Sequence, residues 1–230
     1  MTERGMIFNA EMVRAILAGR KTQTRRIMKV QPESNQLGLL LITDSTKHSD
    51  IGKYHWAESN ATGNHVRSKL FSCPFGAVGD RIWVRETWSS DFANYYPNDR
   101  VWYAADNNRR LDIEVADGVR GIYSPESDVH VPFRWHPSIH MPRWASRITL
   151  EITDVRVERL NAISQEDAQA EGMELTGWRP TYSDPDSGGE VMTPYDNFAE
   201  LWSSIYGEES WNANPWVWVI EFKRVEGGAA

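Results

Sequence analysis

Ile16-Leu17-Ala18-Gly19-Arg20-Lys21-Thr22-Gln23-Thr24-Arg25-Arg26, near the N-terminus, is the stretch around which the rest of the chain has to be arranged. Upstream, Met12, Val13, Ile16 and Leu17 recur at helical spacing, Asn9 is placed to cap the first turn, and Gly19 supplies the left-handed position that stops a helix. Downstream, Lys21 to Ile27 carries β-branched threonines and reads as a strand leaving that helix. Lys21, Arg25, Arg26 and Lys29 make it cationic, and no acid occurs from Arg14 to Lys29. On an alternating strand Thr22, Thr24 and Arg26 share one face, and Lys21, Gln23 and Arg25 the other. In an acidic chain, such a segment is either a solvated basic face or a seat for a phosphate or polar nucleotide.

The 230 residues include 25 Lys and Arg against 32 Asp and Glu, a net charge of -7. That balance argues against sequence-independent coating of nucleic acid, which depends on neutralising many phosphates, and confines any nucleic-acid contact to a local patch. The 11 tryptophans are mostly expected in the core, although a ring can also stack on a base or hold a cation. Cys73 is the only cysteine, so no intramolecular disulfide or Cys-x-x-Cys metal knuckle is available and a reducing compartment, the cytoplasm, is expected. No apolar run approaches the roughly 18 residues of a membrane span, and the N-terminus lacks a signal-peptide core, so no membrane partner is expected. The length suits one large domain over residues 1–226, with a disordered tail at 227–230.

Along the chain, Met6 to Phe8 predicts a short strand before the first helix. Residues 31–75 dissolve into Ser, Asn, Gly, His and Lys around one apolar run, Leu37 to Ile42, and read as an insertion that forms a hairpin or a flap over the site. Arg81 to Trp88 alternates as a strand with Ile82, Val84, Glu86 and Trp88 on one face, so Glu86 either pairs with a buried cation or borders a cavity. Val101 to Ala105 predicts another strand. The two prolines of His136 to Trp144 make that block an irregular connection in which His140, Arg143 and Trp144 are candidate contacts to phosphate and base. His136 and His140 have metal-ligand spacing, but no third ligand accompanies them and no metal is expected.

Arg147 to Leu160 is a long strand whose apolar parity shifts after Ile152, which predicts a bulge near Thr153-Asp154. Ser164 caps a helix ending at Gly172, with Glu171 in the last turn, where the helix dipole opposes its charge. Residues 181–193 form a Gly, Asp, Pro and Ser loop expected to be flexible. Thr193-Pro194 opens a helix with a stripe of Phe198, Leu201, Trp202 and Ile205, stopped by Gly207, and Trp216 to Val225 is the last strand. Amphipathic strands with only three clear helices predict a mainly β, α+β architecture.

Gly19, Lys21 and Arg26 form G-x-K-x-x-x-x-R, which resembles the signature of ASCH domains, small β-barrels of the PUA-like superfamily associated with RNA. The run I-L-A-G-R-K-T-x-T-x-R resembles more closely the opening of bacterial ASCH enzymes that hydrolyse N(4)-acetylcytidine, and His136 to Trp144 resembles a second block of longer ASCH proteins encoded in phage and prophage genomes. The resemblance implies a PUA-like barrel carrying the 31–75 insertion. It further implies catalytic Lys21, Thr24 and Glu171, no cofactor, and RNA or a modified pyrimidine nucleoside as partner. Arg20, Arg25, Arg26, Glu86, His140, Arg143 and Trp144 are the candidate binding residues. Burial and the neighbouring cations would depress the Lys21 pKa enough for it to activate Thr24 or a water, although strand alternation sets Lys21 and Thr24 on opposite faces. No Ser-His-Asp order, Gly-rich phosphate loop or zinc deaminase signature is present. The surviving alternatives are a non-catalytic reader of RNA or a modified base, and an ASCH-type ribonuclease.

Overall fold

The computed structural model describes residues 1–60, 63–66, 68–90, 101–106, 113–116, 119–124, 129–132, 134–173 and 192–225. The expected flexible loop falls largely, and the expected tail wholly, outside the described residues. In chain order the elements are β1 (Glu3–Ile7), α1 (Ala10–Leu17), β2 (Gln23–Ile27), β3 (Gly38–Leu41), β4 (Tyr54–Asn60), β5 (Gly63–Val66), β6 (Arg81–Arg85), β7 (Trp88–Ser89) and β8 (Trp102–Tyr103). They continue with β9 (Ile113–Ala116), β10 (Val119–Ser124), β11 (Val129–Pro132), β12 (Thr149–Arg159), α2 (Gln165–Ala170), α3 (Pro194–Tyr206), α4 (Glu208–Asn212) and β13 (Trp216–Arg224).

The central sheet has the strand order β1-β6-β12-β13-β2. Its β1–β6 pair is parallel and its other pairs are antiparallel. Strand and helix are both well represented, and the architecture is α+β. The expected bulge lies in β12, where the register with β13 shifts between Ile152 and Asp154. That one-residue shift keeps Leu150 and Ile152 on the same core as Val155 and Val157, because an extra residue resets the two-residue alternation.

Strand β13 is covered on both faces. Trp218, Ile220 and Phe222 enter the main core with Phe8, Ile82 and Val84, while Val217 and Val219 join a second cluster with Ala168 of α2 and Phe198 and Trp202 of α3. Each large apolar side chain so buried contributes about 1.5–3 kcal/mol, which is why α2 and α3 are held against the back of the sheet. Helix α3 begins with a capping box, in which Thr193 accepts from the Asp196 N–H and the Asp196 carboxylate accepts from the Thr193 N–H.

The 31–75 stretch builds the antiparallel sheet β3-β4-β5 rather than a flap over Lys21. Trp56, 1% exposed, packs its ring 5.3 Å from that of Trp216, and Tyr54 and Phe71 enclose Trp218. The stretch therefore serves as a wall of the main core. The aromatic residues that decide this are scattered through a polar sequence, which conceals their common face.

Among the described residues strand β1 pairs only with β6 and β2 only with β13, so these two are the edges of the central sheet. Arg26 of β2 spans them with its side chain, donating from Nη2 to the Ile7 carbonyl at 2.9 Å while its guanidinium lies over the Phe8 ring. No helix among the described residues is long and apolar enough to cross a membrane.

Candidate active site

The turn after α1 sets the geometry. Gly19 adopts φ +75°, and the Ala15 carbonyl accepts from both the Arg20 and Lys21 amides at 2.9 and 3.1 Å. Thr22 then donates its N–H to the Ala170 carbonyl at 2.8 Å, fastening the start of β2 to the C-terminal end of α2. Alternation does the rest, because Lys21, Gln23 and Arg25 all reach α2 and the residue after it. Lys21 donates from Nζ to Glu171 Oε2 at 2.5 Å and to the Glu171 carbonyl at 2.9 Å. Gln23 donates to the Asp167 carbonyl at 2.6 Å, and Arg25 to Asp167 Oδ2 at 2.8 Å.

Glu171 is the C-cap of α2 and is 3% exposed. Gly172 follows with φ +97°, a conformation costly for other residues, and a Cβ there would stand 3.0 Å from Ala15 Cβ and 3.3 Å from Lys21 Cβ. A glycine is thus required both for the turn and for the close approach that brings Glu171 over Lys21.

Burial pushes the Lys21 pKa down; the Glu171 carboxylate opposes this, and Arg26 and Arg25 add smaller downward contributions. Around the pair lies a wider network. Arg25 also contacts Glu158 at 3.2 Å and Glu171 Oε1 at 3.4 Å, and Arg156 contacts Glu158, Asp167 and Glu221. Burial alone would raise the Asp167 pKa, but Arg25 and Arg156 outweigh it and hold the carboxyl below its usual range. Buried ions need this degree of pairing, since an isolated one costs several kcal/mol.

Two pockets meet at Glu171. The smaller, about 260 Å³, is mixed in character, bordered by Glu11, Arg14 and Arg20 and by Ala15 and Met173. The larger, about 470 Å³, is lined by Phe198, Trp202 and Tyr206 of α3, by Arg25 and Arg26 of β2, and by Arg85 of β6. Asn9, Met12, Glu171 and Leu201 border both. The larger volume falls within the roughly 300–1,000 Å³ range of small-ligand sites.

Of the residues expected to be catalytic, the fold brings together Lys21 and Glu171. Thr24 is fully buried on the opposite face of β2, and its hydroxyl makes no hydrogen bond with Lys21 or with any other described residue. Strand alternation therefore persists through the turn, and the expectation of a direct Lys21–Thr24 contact is corrected. Arg20 borders the smaller pocket and donates to the Gly172 carbonyl at 3.4 Å. Arg25 and Arg26 border the larger one.

Glu86 does not border either pocket; Arg147 takes both of its oxygens, at 3.0 and 3.1 Å, because a carboxylate on an apolar strand face needs a cation. Arg143 is committed to Glu3 through two bonds of 2.9 Å and to Thr149. Trp144 is 67% exposed and meets Trp88 edge-on, and His140 is exposed at the end of a short 3-10 turn. The prolines that shape this block direct it toward β1 and β7, so His140, Arg143 and Trp144 border neither pocket. No group of three metal-ligating side chains occurs among the described residues.

Sequence reasoning missed Asp167, Glu158, Arg156, Gly172 and Arg85. One signal was available: Asp167 and Glu171 are four apart on α2 and so share a face, opposite the alternating Lys21, Gln23 and Arg25. No protein-family model, curated protein or solved structure matches this chain.

Proposed function

We propose that this protein is a nucleoside- or RNA-binding protein of the ASCH, PUA-like type that hydrolyses an acyl group from a modified pyrimidine nucleoside at Glu171. The observation that carries this reading is the fully buried Lys21, its amine fixed on a carboxylate that borders both pockets. Perturbed, paired ionisable groups beside a cavity are the arrangement that acid–base chemistry requires. The Arg26 link between the two sheet edges supports closure into a barrel. A single cysteine supports action in the cytoplasm.

In this mechanism Glu171 touches the substrate and Lys21 positions it. A water gives a proton to the Glu171 carboxylate as its oxygen attacks the acyl carbon. The resulting oxyanion is stabilised by the positive charge of Arg25, whose Nε has no partner among the described residues. Collapse breaks the carbon–nitrogen bond, and the proton passes from Glu171 to the leaving amine, giving the carboxylic acid and the free base. Thr24 takes no part.

The position of Thr24 and the complete enclosure of Lys21 favour a second reading, a reader that binds the base without turnover. Incubation with N(4)-acetylcytidine, following cytidine release, separates the two. Release that is lost in Glu171→Gln, falls in Lys21→Met and survives in Thr24→Val is the expected result. Binding without release establishes the reader, and neither binding nor release overturns both.

A further inference from the structure

Arg26 and Arg85, like Arg159 and Arg224, give their described hydrogen bonds to acceptors other than carboxylates, but of these four only Arg26 and Arg85 line the larger pocket. Arg25, Arg143, Arg147 and Arg156 all meet carboxylates, whereas the hydrogen bonds of Arg26 and Arg85 go to backbone carbonyls: Ile7 and Arg25 for the first, Ile139 for the second. Neither pairs with a carboxylate among the described residues. Both nevertheless line the larger pocket. They also converge on one residue of β1, since Arg26 donates to the Ile7 carbonyl and Arg85 is the register partner of Ile7 in the parallel β1–β6 ladder.

The placement of Arg85 is built into the strand. Its guanidinium lies 5.2 Å from the centre of the Trp83 ring, and its buried Nε has no partner among the described residues. Gly5 makes room for this stack. A Cβ at Gly5 would stand 2.6 Å from the Trp83 ring and 2.9 Å from Arg85 Cδ, so a side chain there would displace both. A glycine in a strand, a cation stacked on an indole, and a second cation strapped across the sheet edge together form a positive rim on a pocket whose other wall is aromatic.

We propose that Arg26 and Arg85 form a phosphate subsite of the larger pocket, so that its ligand is a phosphorylated nucleoside, either a mononucleotide or a residue of an RNA strand. This rests on the reading that the pocket takes a nucleoside base. The ring lies against α3 with Glu171 at its inner end, and the phosphate receives the two guanidiniums near Ile7. Arginine suits this role because its planar fork matches phosphate oxygens and its charge persists at any working pH.

The test is a set of calorimetric titrations of the full chain with cytidine, cytidine 5′-monophosphate, inorganic phosphate and a short cytidine oligoribonucleotide, at low and high salt. Cytidine 5′-monophosphate should bind roughly tenfold or more tightly than cytidine, the scale of one charge-assisted hydrogen bond, and the advantage should shrink as salt rises. Arg85→Gln and Gly5→Ala should each narrow that ratio, and Arg85→Lys should restore part of it. A tighter oligoribonucleotide assigns the phosphate to RNA; equal or weaker binding assigns it to the mononucleotide. Equal affinity for cytidine and its monophosphate in the unaltered protein overturns the phosphate subsite and leaves the base pocket standing. Absence of binding by all four probes overturns both.

Discussion

Glu86 and Glu171 are equally withdrawn from water, 1% and 3% exposed, and each is met by a cation on a neighbouring element. Their surroundings differ. Arg147 consumes both Glu86 oxygens, is shared with Asp106 at 2.6 Å, and is covered by the Tyr103 ring at 3.9 Å. Glu171 Oε2 accepts from Lys21, but among the described residues the only partner of Oε1 is Arg25, at the longer distance of 3.4 Å, and the carboxylate borders two pockets. Burial and pairing therefore do not by themselves mark a site. What distinguishes Glu171 is spare acceptor capacity facing space that a ligand can fill.

The largest expected effect breaks the closed pair. Glu86→Ala leaves Arg147 with Asp106 alone and should lower unfolding free energy by about 3–5 kcal/mol, measured by urea unfolding, while leaving the affinity for cytidine 5′-monophosphate unchanged. A loss of affinity of tenfold or more in a folded Glu86→Ala protein would erase the contrast. Gly172→Ala tests the open pair through the backbone. The strained φ and the contact with Ala15 should cost about 1–3 kcal/mol, and turnover of N(4)-acetylcytidine should fall because Glu171 is displaced. Full stability together with full turnover would show that the close approach is not needed.

The smallest effects lie in pH dependence, where the two pairs have opposite signs. Burial, opposed by Arg147, raises the Glu86 pKa above 4.5, so its contribution to stability is present below that value and is lost as pH rises through the folded pKa. Lys21 is shifted below 10.5, chiefly by burial. The unfolded chain then binds more protons, and the contribution is present above 10.5 and is lost as pH falls through the folded pKa. Glu86→Gln should thus remove a downward slope of urea midpoint with pH on the acid side. Lys21→Met should remove an upward slope on the alkaline side. Slopes of the same sign would mean that the two pairs are not electrostatically distinct.

Local patterns carried much of this arrangement in readable form. Asn9 and Gly19 bracket α1, the parity change after Ile152 marks the bulge, and Thr193-Pro194 with Gly207 bounds α3. Each depends on residues close in sequence. The pairing of Lys21 with Glu171, 150 positions away, was reached through resemblance, since periodicity says which face a side chain takes and not what stands opposite. For the same reason Arg85 and Gly5 were invisible, because their significance lies in the register of β1 against β6. Trp56 escaped because its neighbours are polar, although Trp216 and Val30 supply the contacts that bury it.

The Arg26 strap has one more consequence. Strand β1 is an edge of the central sheet, and an edge with vacant carbonyls is a template on which another chain can add a strand. Bonding the Ile7 carbonyl and placing a charged group against that border both work against edge-to-edge association. An arginine that helps hold a ligand would then also act as a guard against aggregation, and replacing it should increase self-association of the folded protein even when no ligand is present.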